Sequence, residues 1–366
     1  MGRLLSASTP ADMKPLFNRS STLAVITVFA ASFSGVAAGQ SSTVGHEATE
    51  EDLNDLMGWT RQIDRRDNTR FSWDYSLRGV HAAGTPRTGM LGAIGADLYH
   101  VFSSAAGDIG TLRLQGYALH ADGLPMTPPF FDSAHDWEWT YRFFDFNYTR
   151  YASQGVNLRL GHFEVPYGLE QTQATNGTLR DYFSKTNLGI KADWGLSLNG
   201  ENATHEYEFG LMRGSGNYYK DLDENYVFAG RVGTAREHNL AFGASFMSAR
   251  LPAGGLAHRE RLGIDVVWNA PIATVLGELN IGSDEDVDIA SGLFEVNVTS
   301  PDERKLAYAQ LLGTDADGDD KYWANIGVLN NLSEGITLSA QWQVDLDAIE
   351  GSDRSESLML QLRYRF

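Results

Sequence analysis

Cysteine is absent from this 366-residue chain, so neither a disulfide framework nor a thiolate metal site can be built from it. Lysine is scarce: beyond residue 38 only Lys185, Lys191, Lys220, Lys305 and Lys321 occur. Basic residues number 29 against 47 acidic ones, a formal charge of −18, which disfavours nucleic acid as a partner. No run of eighteen apolar residues is present, so the chain holds no bilayer-spanning helix. The nine histidines are scattered, with no spacing that pairs one with an Asp or Ser. An enzyme is therefore not expected, and neither is a cofactor. His162 is the one histidine placed to be checked, and packing at a loop is the simpler role for it.

The N-terminus carries Arg3, Lys14 and Arg19, then a short apolar run over 22–33, then Ser34-Gly35-Val36-Ala37-Ala38. A positive region, an apolar region and small residues at the −3 and −1 positions predict a cleavable secretory signal over 1–38. Residues 39–68 are acidic and polar, with Leu53, Leu56 and Met57 at helical spacing. They read either as a short periplasmic helix or as a disordered lead-in.

From Phe71 onward the hydrophobic period is two. Leu262, Ile264, Val266 and Trp268 alternate with Gly263, Asp265, Val267 and Asn269, and Ile336, Leu338, Ala340, Trp342, Val344 and Leu346 with Thr337, Ser339, Gln341, Gln343 and Asp345. Leu188, Ile190, Ala192, Trp194, Leu196 and Leu198 alternate in the same way. That is strand patterning. The polar parity is rich in Gly, Ser and Asn, as a wet interior requires, and aromatics gather at strand ends. A chain of mean hydropathy −0.28 can live in lipid when only alternate residues face it. The pattern predicts an all-β, transmembrane antiparallel barrel of about sixteen strands over 69–366. The spans are 70–80, 91–102, 110–120, 138–151, 156–164, 187–198, 204–213, 225–233, 239–248, 260–268, 274–282, 292–299, 305–313, 321–329, 336–346 and 356–366. Short turns at one end should alternate with longer loops at the other, among them 121–136, 165–186, 215–224 and 283–291.

The last strand has Leu358, Leu360, Leu362, Tyr364 and Phe366 on one parity and stops on that phenylalanine. It resembles the terminal strand of Gram-negative outer-membrane barrels, and the resemblance implies that location. The longest connection, 165–186, is the third outer one. Loops of this length without a strand of their own are usually functional or disordered. Tyr167, Tyr182 and Phe183 could anchor it to the inner wall. The alternatives are an inward constriction bearing Glu164, Glu170, Arg180, Asp181 and Lys185, and an ordinary extracellular loop.

Gly161-His-Phe-Glu-Val-Pro-Tyr-Gly-Leu-Glu170 resembles the Gly-x-Phe-x-x-Pro-aromatic-Gly-x-Glu stretch of the phosphate-selective (O and P type) porins. The resemblance implies a sixteen-stranded homotrimer that passes anions along an arginine ladder and a lysine-lined constriction. This chain departs from it in having few lysines and an acid excess, which points instead to weak cation preference. By parity, Arg78, Arg113, Arg159, Arg363 and Arg365 face the interior on one arc, and Asp193, Glu206, Glu208, Asp265, Glu278 and Asp345 do so mostly on the other. Charge rings of this kind set ion preference. Asp315, Asp317 and Asp319 form a candidate calcium loop that lacks a distal bidentate Glu; solvated acid is the plainer reading. The expected function is a water-filled diffusion channel for ions and small hydrophilic solutes, surrounded by lipid and lipopolysaccharide. Anion or phosphate selectivity is the alternative, and a barrel enzyme a more distant one.

Overall fold

The computed structural model describes residues 68–83, 87–105, 107–122, 137–153, 155–182, 187–217, 224–235, 238–252, 256–346 and 356–366. The expected signal (1–38) and nearly all of the expected lead-in (39–68) lie outside these, as does Lys185.

Sixteen strands follow in order: β1 (Thr69–Ala83), β2 (Arg87–Ser104), β3 (Gly107–Asp122), β4 (Trp137–Ser153), β5 (Val156–Glu164), β6 (Ala192–Glu201), β7 (His205–Met212), β8 (Tyr226–Thr234), β9 (Leu240–Pro252), β10 (Leu256–Asn269), β11 (Thr274–Asp284), β12 (Val287–Thr299), β13 (Lys305–Ala316), β14 (Asp319–Ser333), β15 (Ile336–Asp345) and β16 (Glu356–Arg365). Each pairs antiparallel with its neighbour in sequence, and β1 pairs with β16 to close the ring. Closure leaves no strand edge unpaired, the condition for a sheet to stand in hydrocarbon. The seam is in register, with Leu77 opposite Leu362 and Tyr75 opposite Tyr364. Phe366 stacks on Tyr364 and lies parallel to Tyr75.

Alternation sorts the two faces as expected. Leu358, Leu360, Leu362, Tyr364 and Phe366 are exposed on the outside while Gln361 is buried inside. Leu262 and Ile264 are each 60% exposed, whereas Arg261 and Asp265 on either side of them are buried. A soluble protein would not leave such a belt in water.

Three expectations change. The long and short connections alternate only on part of the ring. Between β9 and β14 the connections at the long-loop end shrink to 253–255, 285–286 and 317–318. The expected loop 283–291 is mostly strand, because β11 runs to Asp284 and β12 begins at Val287. The sixth strand begins at Ala192 and not at 187; Leu188, Ile190 and Ala192 are buried rather than facing lipid. Their alternation comes from packing inside the barrel.

The wall is also less uniformly wet than its pattern suggests. Met247, Ala249, Leu276, Leu293 and Leu312 are buried on the interior side and form two apolar clusters with residues of the third long connection. Those strands are apolar on both faces where that connection covers them.

Candidate functional site: the connection folded into the barrel

Residues 165–191 link β5 to β6, and the described parts of this connection, 165–182 and 187–191, lie inside the barrel. Val165, Tyr167, Leu188 and Ile190 pack against Met212, Val227, Ala229, Met247, Ala249 and Leu251. Leu169 and Tyr182 pack against Leu276, Leu293 and Leu312. A fully buried side chain of this kind contributes roughly 1.5–3 kcal/mol, enough in sum to hold a long segment against its entropy.

Hydrogen bonds fix where it runs. Tyr167 Oη donates to Asn280 Oδ1 (2.8 Å), Gly168 N to Ser245 Oγ (3.0 Å) and Leu169 N to Glu278 Oε2 (2.7 Å). The segment reaches the β9–β11 wall here, makes a 3-10 turn over Leu169–Gln171 and crosses back. Gly168 sits at φ +59°, and a Cβ there would meet the Glu278 carboxylate at 2.5 Å. Glycine is what permits so close an approach. Farther on, Arg363 donates to Asn176 O (2.8 Å) and Arg78 to Thr178 O (3.2 Å), reaching the seam of the barrel. Arg180 then pairs with Glu295 at 3.0 Å, and the Asp181 backbone exchanges two hydrogen bonds with the Gln310 side chain.

The five expected constriction residues therefore separate. Glu164 and Glu170 come together, joined by two residues the sequence reading did not assign to the constriction. Arg142 Nε donates to Glu164 at 2.8 Å, and Lys191 Nζ lies 3.0 Å from Glu170 and 3.8 Å from Glu164. Thr175 Oγ1 accepts from both cations, at 3.2 Å and 2.7 Å. Burial raises the Glu170 carboxyl to about 7, outweighing the pull of Lys191. Arg180 and Asp181 belong to the opposite, β12–β13 side.

Arg142 reaches the interior through a register shift in β4, where Gln115 and Gly116 oppose Phe143 and Tyr141. Such an extra residue re-aims a side chain. Phe143 lies under two guanidinium groups, Arg113 at 4.1 Å and Arg142 at 5.1 Å from its centroid. Strict alternation gives no hint of this shift. Beside it, a cavity of about 140 Å³ is lined by Tyr117, Thr140, Arg142, Thr175, Asn176, Gly177 and Lys191.

The wall charges are interleaved and not opposed across the lumen. Arg113 pairs with Asp145 at 2.9 Å and Arg159 with Glu208 at 2.7 Å. Arg363 pairs with Asp74, Arg365 with Asp97, and Arg231 with both Glu206 and Asp265. Arg78 bonds the Gln361 amide at 2.8 Å. Asp193 does not line an opening: it is fully buried and accepts from the backbone of Trp194, Gly214 and Ser215. The acids of strands one, two and four were missed because cross-strand register is not written in either strand alone.

Two further candidates resolve into structure. Asp317 and Gly318 form a two-residue hairpin turn with positive φ at both, the turn favoured by an Asp-Gly pair. Asp315 accepts from Gly318 N at 2.9 Å and Asp319 sits beside Lys321. No group of three or more His, Cys, Asp or Glu side chains able to hold a metal occurs among the described residues. His162 is buried between Tyr141 and Trp194, its Nδ1 3.3 Å from Arg142 O.

No family model and no curated protein matches the chain. Solved structures do. An anion-selective porin from Comamonas acidovorans superposes with a TM-score of 0.60 at 12% identity, over 81% of this chain and 99% of that one. OprB of Pseudomonas putida gives 0.61 at 9%, over 82% and 94%. The trimer form of OmpT from Vibrio cholerae gives 0.56 at 12%, over 81% and 99%. At such identities the likeness concerns architecture, and the chain has the fold of the sixteen-stranded outer-membrane porins.

Proposed function

We propose that this chain is a Gram-negative outer-membrane porin, a diffusion channel for ions and small hydrophilic solutes. The observation that carries this reading is the third connection. It is packed across a charged, hydrogen-bonding interior and borders a cavity of about 140 Å³ lined by Arg142, Thr175, Asn176 and Lys191, which we take as the place of the opening. An outer apolar belt supports a lipid and lipopolysaccharide environment. Export through a signal over 1–38, with 39–68 as a periplasmic segment, completes this reading. A homotrimer is supported by the trimer form of the Vibrio cholerae neighbour. The role in this reading is transport, and the buried His162 serves packing: it meets a backbone carbonyl and aromatic rings.

A second reading, an anion channel akin to the phosphate-selective porins, has two supports. One is the Gly161–Glu170 resemblance; the other is the pair of cations at the opening. Against it, Glu164 and Glu170 offset Arg142 and Lys191. Reconstitution of purified protein in a planar bilayer tests the proposal. Discrete conductance steps, with a reversal potential near zero or weakly cation-selective in a salt gradient at pH 8, are expected. A silent bilayer at confirmed incorporation contradicts the porin reading, and strong anion selectivity favours the second.

A further inference from the structure

Four charged side chains from three parts of the chain meet beside the cavity: Arg142 from β4 and Lys191 from the connection line it, and behind them stand Glu164 from the end of β5 and Glu170 from the connection. Their charges cancel when all four are ionised. One oxygen stands apart. Glu170 Oε1 takes the Lys191 hydrogen bond, while Glu170 Oε2 is buried with no hydrogen-bond partner. A buried carboxylate oxygen without a donor is costly, and protonating it removes that cost.

We propose that Glu170 is the specificity-determining residue of the channel, switching the opening between a balanced state and a net cationic state that favours small inorganic and carboxylate anions. The inference rests on the porin reading. Proton uptake at Oε2 turns Glu170 into a neutral acid whose other oxygen still accepts from Lys191. Arg142 and Lys191 then face a single carboxylate, that of Glu164. Burial, opposed by Lys191 and reinforced by the neighbouring charges of Glu164 and Glu278, sets the change at about pH 7. The direction follows: the carboxyl is neutral below its raised value and charged above it. Tyr182 of the same connection is held neutral by burial throughout this range and adds no charge. Gln171, next in the chain, donates to Glu208 at 2.7 Å, and that carboxylate is already matched by Arg159.

Reversal potentials in a potassium chloride gradient, measured from pH 5.5 to 8.5, test this. For the unaltered protein the chloride permeability should rise and the potassium permeability fall, each about fivefold, as pH falls through 7. That is the weight of one unit charge acting at ~4 Å in aqueous surroundings. Glu170→Gln should hold the low-pH ratio at every pH. Lys191→Gln removes the cation that opposes burial, so its transition should move to higher pH; it carries the test if Glu170→Gln does not assemble. A ratio that stays flat in the unaltered protein, or a transition that survives Glu170→Gln or does not move in Lys191→Gln, overturns the proposal while leaving the channel standing. Absence of any conductance overturns both.

Discussion

Leu169 donates its backbone N–H to Glu278 Oε2 across the barrel at 2.7 Å. The two residues are far apart in sequence, and the bond closes the connection onto the wall opposite its root. The same carboxylate accepts from Asn280 at 2.8 Å through its other oxygen. Glu278→Ala leaves the Leu169 amide buried without an acceptor, at a cost of about 1–3 kcal/mol. Lower stability in urea and a larger, noisier single-channel conductance are expected. Unchanged conductance would show that this tether does not position the constriction.

The outer face offers a second test. Leu360 lies mid-strand on β16, 52% exposed and flanked by Ala340 and Gly79. Met359 points to the interior. Leu360→Arg should destabilise the folded barrel by about 2–4 kcal/mol in lipid, and Met359→Arg by far less. Equal costs, measured by unfolding in the same vesicles, would contradict the assignment of faces.

Orientation can be read in the cysteine-free background. Asp286 lies at the end of the barrel that carries the long connections, and Asp302 lies in a turn at the other end. With cysteine at position 286, whole cells should react with an impermeant maleimide; with cysteine at 302 they should react only after lysis. The reverse pattern would invert the barrel in the membrane.

Much of the fold was legible because lipid enforces it. Where one face must be apolar and the other wet, period-two alternation is unambiguous, as on β10, β15 and β16. Between 274 and 313 the alternation is interrupted, and the structure supplies the reason. Leu293 and Phe294, or Leu311 and Leu312, are consecutive apolar residues because lipid covers one side and the folded-in connection the other. The same connection imitates a strand at Leu188 and Ile190. Its inward course was one of two open readings, and tyrosines 167 and 182 proved to be its anchors. What alternation could not reveal was the site itself. Arg142 arrives through an irregularity in β4, Lys191 belongs to a loop end and not to a strand face, and the pairing of Arg113 with Asp145 depends on a register that only the assembled sheet defines.

In the proposed channel, solutes pass beside residues 175–177 and Lys191, along the β3–β4 wall. Asn176 stands at that opening, donating to Tyr117 Oη at 2.7 Å. The most direct measurement is single-channel conductance of Asn176→Cys before and after reaction with a bulky methanethiosulfonate. A step to a small fraction of the initial conductance, restored by reductant, is expected. Full labelling, verified by mass, with conductance unchanged would mean that the passage runs elsewhere.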